Sequence, residues 1–143
     1  MDSNVLLTIN GRQWSGHEEP QLIRLTTEGQ LLRLKKFWSI VYDESDATGM
    51  EGTRTTIQVE DEGSMILTRT GSHEMRLTFE AGSRHITRMN TPYGDLDVSV
   101  FTSMVESQID DSGGFIHLGY TIDINNQEQL NTRLDIEIKK SVV

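Results

Sequence analysis

The chain is predicted to fold as an all-β domain, an antiparallel up-and-down barrel of about eight to ten strands. Apolar and polar residues alternate with period two along most of the 143 residues, and no window sustains the repeat of a helix. Turn-forming residues punctuate that alternation every ~8 to 14 residues, the spacing of short strands joined by hairpins. A barrel is preferred to a sandwich because a meander can close on itself and leave no exposed edge.

Val5, Leu7 and Ile9 share one face of the first strand. The polar segment 11–20, holding Gly16, His17 and Glu18-Glu19, reads as the most mobile loop. Residues 22–26 and 31–34 follow as two strands around a turn-like Glu28-Gly29, and residues 37–42 make another. After the Gly49-to-Gly52 turn, Thr53, Thr55, Ile57 and Val59 fall on one face. Asp61-Glu62-Gly63 then returns the chain through Met65, Leu67 and Arg69. Met75, Leu77 and Phe79 repeat the pattern, and Thr87 and Met89 lead into Thr91-Pro92-Tyr93-Gly94, where proline presets φ and glycine tolerates the exit conformation. Leu96, Val98, Val100, Thr102 and Met104 form a strand long enough to need a bulge, which leaves the register open beyond Thr102. The last hairpin pairs Ile116, Leu118, Tyr120, Ile122 and Ile124 with Leu130, Leu134, Ile136 and Ile138 across Asn125-Asn126. Trp14 and Trp38 read as packing residues at the barrel ends.

One domain spanning residues 1–143 is expected, because a chain of this length buries enough surface for its own core. Thirteen basic against twenty-two acidic side chains leave a net charge of -9, a field that repels phosphate backbones and anionic lipid. Nucleic acid and membranes are therefore poor partners. The chain has no cysteine and only four scattered histidines, so neither thiolate chemistry nor a zinc site at recognisable spacing is expected, and no cofactor is implied. The start Met1-Asp2-Ser3-Asn4 lacks a positive region, and no apolar run approaches the ~20 residues of a membrane helix, so a mature cytoplasmic protein is expected.

Arg69 is the most informative side chain, since its alternation with Met65 and Leu67 places a charge on the inward face. An inward guanidinium needs a partner, and Glu44, which shares a face with Ile40 and Tyr42, and Glu51 are the acidic candidates. Two readings stand. The structural one is an internal salt bridge that fixes register in a barrel filled by its own side chains. The functional one is an anchor for an acidic ligand, held by the forked guanidinium beside a tyrosine hydroxyl. Asp43-Glu44-Ser45-Asp46 lacks the spacing of a calcium loop and reads as a solvated turn. The adjacent Ser72 and His73 point to opposite faces of a strand and cannot share a proton. Arg84, His85 and Arg88 read as a solvated strand face. No catalytic set can be assembled from neighbouring positions, so no enzyme is expected.

Thr48-Gly49-Met50-Glu51-Gly52-Thr53-Arg54-Thr55-Thr56 and Asn90-Thr91-Pro92-Tyr93-Gly94, taken with Tyr42, Glu44 and Gly113-Gly114, resemble the YwiB-type family of uncharacterised small bacterial proteins. The resemblance runs over nearly the whole chain and implies a calycin-like, lipocalin-type barrel. The positions of Tyr42, Glu44, Glu51, Thr53, Arg69 and Tyr93 look characteristic of that family, which makes them the candidate ligand-binding set. Two departures stand out: Lys35-Lys36-Phe37 lacks the glycine expected in its turn, which implies a longer or reshaped loop, and Met89 stands where an aromatic residue is usual. The function expected from these observations is non-enzymatic binding of a small anionic or amphipathic molecule. The alternative is a protein interaction or assembly module, such as a homodimer, with a filled barrel.

Overall fold

Strict alternation decides the architecture: each strand offers one apolar face, and ten such strands bury those faces together by curling into a single sheet. The computed structural model describes residues 2–46, 49–72, 74–91, 93–125 and 128–141. The strands are β1 (Asp2–Trp14), β2 (Gln21–Arg33), β3 (Phe37–Asp43), β4 (Thr53–Glu60), β5 (Met65–Gly71), β6 (Met75–Phe79), β7 (Arg84–Thr91), β8 (Gly94–Asp110), β9 (Gly113–Ile124) and β10 (Glu128–Lys140). Among the described residues there is no α-helix. The strand order is β6-β5-β4-β3-β2-β1-β10-β9-β8-β7, with every ladder antiparallel.

This order is a meander closed at its termini. β1 pairs with β10 from Val5↔Lys140 to Trp14↔Asn131, and with β2 from Asp2↔Leu32 to Gln13↔Gln21. The ring is interrupted between β6 and β7, which are consecutive in sequence yet share no ladder. Their turn is tied instead to β8, where Gly82 N–H donates to Thr102 O (2.8 Å) and Thr102 N–H donates to Ser83 O (3.1 Å). The result is a nearly closed barrel.

An up-and-down meander puts alternate turns at opposite ends. At the end holding the β2–β3, β4–β5, β6–β7 and β8–β9 turns, the interior is packed with Leu31, Val59, Met65, Phe79, Ile116 and Ile138, all buried. The opposite end is lined by half-buried residues such as Leu25, Met75, Met89, Leu96 and Ile122, and its inward Ile23 is 37% exposed. One end is therefore plugged and the other forms a mouth.

Several expectations hold in detail. The last hairpin forms between the expected strands, with Ile122 opposite Leu130 and Ile116 opposite Ile136, although Asn126 at its tip lies outside the described residues, as do Thr48, His73 and Pro92. A bulge does follow Thr102: Ser103 is the extra residue before Met104 pairs with Gly119. Gly113-Gly114 opens β9 because nothing else fits, since a Cβ on Gly114 would lie 1.9 Å from Gln108 O.

Other expectations are corrected. Glu28-Gly29 is not a turn: β2 runs through it unbroken, and a Cβ on Gly29 would come within 2.8 Å of Val41 O, so this glycine permits close strand approach. The segment 11–20, expected as a loop, leaves the sheet only from residue 15 onward, because β1 stays paired through Trp14. The turn at Lys35-Lys36 is short despite lacking glycine, closed by Leu34 N–H donating to Phe37 O (2.9 Å).

Adjacent residues on opposite faces test the inward register. Leu7 is fully buried while Leu6 is 39% exposed. Leu7→Ala should lower the unfolding free energy by about 2–5 kcal/mol, and Leu6→Ala should change it by no more than ~0.5 kcal/mol in denaturant titrations.

Candidate functional site

Two cross-strand rows of polar residues line the interior below the mouth. In the first, Tyr42 of β3 lies opposite Thr55 of β4, Thr55 opposite Arg69 of β5, and Arg69 opposite Met75 of β6. In the second, Thr102 of β8 lies opposite Tyr120 of β9, Tyr120 opposite Thr132 of β10, and Thr132 opposite Gln13 of β1. Curvature of the sheet brings the rows together across the lumen, where Arg69 acts electrostatically on the phenols of both Tyr42 and Tyr120. Below them, the Phe79 and Tyr120 ring centroids lie 4.7 Å apart and form the boundary with the apolar plug.

Glu44 enters this belt from just beyond β3. Alternation carries past the strand end because Glu44 N–H donates to Thr53 O (2.8 Å), so Asp43 points out to pair with Arg54 at 2.9 Å while Glu44 points in. The expected solvated turn thus has one buried carboxylate. Thr55 Oγ1 donates to Glu44 Oε1 at 2.7 Å, and the same oxygen lies 3.9 Å from Arg69 Nε. The Tyr42 phenol is hydrogen-bonded to Glu44 as well, and its pKa is pushed up to about 12, first by burial and then by the charge of Glu44, with Arg69 opposing. Burial also raises Tyr120, against a hydrogen bond from Thr132 and the charge of Arg69.

At 3.9 Å, outside hydrogen-bond distance, Glu44 faces the charge of Arg69 without accepting from its Nε. Arg69 Nε is buried with no acceptor among the described residues, although the side chain as a whole is 21% exposed. Two more inward polar atoms share that condition, Thr102 Oγ1 and His85 Nε2. Outside the belt, a concavity of about 380 Å³ opens at the top of β4 and β5, lined by Asp43, Glu44, Gly52, Thr53, Arg54, Thr70 and Gly71. Another of about 350 Å³ lies on the outer surface around Gly29, with Glu28, Gln30, Asp43 and Arg54 among its walls.

Of the residues singled out from sequence, Tyr42, Glu44, Thr53 and Arg69 come together, with Thr53 2% exposed beneath Glu44. Glu51 does not join them. Positive φ at Gly49 and Gly52 turns the chain so that Glu51 faces solvent, leaving Glu44 as the carboxylate beside Arg69. Tyr93 is 100% exposed because the β7–β8 turn carries it beyond the sheet. Arg84 and Arg88 lie on the outer face with Asp123 and Asp97, as expected, but His85 between them points inward, so it is not part of that solvated face. Sequence reasoning missed the second polar row, whose signal was an inward Thr or Tyr at matching heights on three strands.

The family described as Domain of unknown function (DUF1934) matches residues 7–136. The uncharacterized β-barrel protein YwiB of Bacillus subtilis (strain 168) is 24% identical over 104 residues, covering 73% of this chain and 70% of that protein. The crystal structure of ywiB protein from Bacillus subtilis superposes with a TM-score of 0.80 over 99% of this chain and 94% of the other, at 18% identity. That likeness gives the fold: an all-β antiparallel barrel of the same architecture.

Two outcomes test the belt. Arg69→Met removes the charge facing a buried carboxylate that keeps its Thr55 and Tyr42 hydrogen bonds, so it should destabilise by about 1–3 kcal/mol, below the ~3–5 of a fully buried pair. Glu44→Gln should recover part of that loss in a double-mutant cycle, whereas Glu51→Gln should show no coupling. The second outcome concerns pH. A phenol whose folded pKa is about 12, against an ordinary value of 10.0, gives stability that is fully present below the ordinary value and lost as pH rises toward the folded one. Unfolding free energy should therefore fall between pH ~10 and ~12 by up to about 2–3 kcal/mol more in the native protein than in Tyr42→Phe.

Proposed function

This chain belongs to the family Domain of unknown function (DUF1934), and we propose that it is a non-enzymatic binding barrel for a small amphipathic molecule with an anionic head. The observation that carries the proposal is Arg69, a half-buried guanidinium inside the barrel whose Nε has no acceptor. A buried donor without a partner costs free energy that an incoming carboxylate would offset, and the planar fork of a guanidinium suits that group. Tyr120 on the facing row is a second hydroxyl within the field of Arg69. Above them, Ile23, Leu25, Met75, Met89 and Ile122 offer a partly exposed apolar mouth. The polarity is that of an acid head lowered into the barrel with its apolar tail toward the mouth.

Binding is favoured over turnover by the state of the acid and base candidates. Glu44 is committed to Thr55 and Tyr42, and a phenol at about 12 is a poor base near neutrality. The acidic net charge suits a cytoplasmic carrier or sensor of a free small molecule more than a protein working on nucleic acid.

The test is displacement of the fluorescent amphipathic anion anilinonaphthalene sulfonate by decanoate, decanol and decyltrimethylammonium. Decanoate should displace the dye most strongly, the cation least. Arg69→Met, shown by circular dichroism to be folded, should weaken decanoate by at least about tenfold. Equal displacement by all three, or undiminished decanoate binding by folded Arg69→Met, would overturn the reading.

A further inference from the structure

We infer that the upper half of β2 is a homodimerisation edge, where two copies of this chain join their sheets by antiparallel pairing of residues 24–28. The inference is independent of the ligand reading. β2 pairs with β1 along its whole length, but β3 pairs with it only from Gln30 to Arg33. From residue 21 to residue 28 its other side carries no ladder among the described residues. Arg24, Thr26 and Glu28 are exposed along that stretch, and Leu22 is 74% exposed.

Edges of this kind are normally protected by charged side chains, lysine above all, or by proline, a bulge or very short length. Residues 21–28, Gln-Leu-Ile-Arg-Leu-Thr-Thr-Glu, have no lysine, proline or bulge, their two charges are of opposite sign, and Leu, Ile and the two Thr favour an extended strand. The contrast with the other interruption in the barrel is informative. At the seam, β6 is only Met75–Phe79, and the β6–β7 turn is tied down onto Thr102.

A second copy is the occupant because the edge is complementary to itself. Antiparallel two-fold pairing centred on Thr26 keeps inward residues opposite inward ones, and it sets Arg24 against the partner's Glu28, Thr26 against the partner's Thr26, and Leu25 against the partner's Thr27. Opposite charges and Thr–Thr pairs are favourable directly across a ladder. Centring one pair earlier on the same face would oppose Arg24 to the partner's Arg24, which is unfavourable. Within one copy the Arg24 Nε donates to Asn10 Oδ1 at 3.1 Å, and Glu28 has no ion pair among the described residues, so both charges are available at the edge. The paired span also ends before Gln30, where β3 takes over the edge.

Sedimentation velocity over a range of concentrations, with circular dichroism to confirm folding, tests the inference by charge exchange. The native chain should dimerise. Arg24→Glu alone and Glu28→Arg alone should each weaken the dimer on the order of tenfold or more, by facing like charges across both symmetry-related pairs. The double exchange should restore it. A native chain that stays monomeric at all concentrations, a dimer indifferent to the single exchanges, or a double exchange that fails to rescue would each overturn the inference.

Discussion

The ladder between β1 and β10 is the constraint on which the rest of this structure depends. It joins the two ends of the chain, and it sets Leu7 opposite Ile138 and Ile9 opposite Ile136, so that closing the sheet and building the core are the same event. Because the ring closes there, it is left open along β6 and β7, strands already held together by their own short connection. Loop-closure entropy explains why that arrangement is tolerable: the strands left unpaired are those the chain brings together at least cost. Pairing the termini is the expensive contact, and two of the longest ladders of the molecule flank it.

Closure also creates the polar belt. Tyr42, Thr55 and Arg69 are neighbours because three strands pair in register, and Thr102, Tyr120, Thr132 and Gln13 are neighbours for the same reason on the other wall. Neither row would be tolerable against hydrocarbon alone. Hydrogen bonds within each row, together with the Arg69–Glu44 charge pair, lower the cost of burying these groups. The accommodation is incomplete at Arg69 Nε and Thr102 Oγ1, which have no hydrogen-bond partner among the described residues.

The division of the barrel into an apolar plug and a partly open polar mouth follows from strand lengths as well as composition. β1, β2 and β10 extend toward the mouth, but β3 stops at Asp43, so one side of the mouth is carried by a strand with a free edge. The same shortfall leaves one side of β2 without a ladder beside the partly exposed Ile23.

The residues of this chain by themselves determined the fold class, nearly every strand, the face on which Arg69 and Glu44 lie and the family resemblance, because alternation and turn chemistry act over a few residues and leave local signatures. Gly29 shows where local reading stops. Beside Glu28 it looks like a turn, and only the close approach of Val41 makes it the middle of a strand. The choice of Glu44 over Glu51, the exposure of Tyr93 and the second polar row were likewise decided by tertiary structure. Each depends on register between strands or on positive φ in a turn, and these fix where a side chain points only once the sheet has closed.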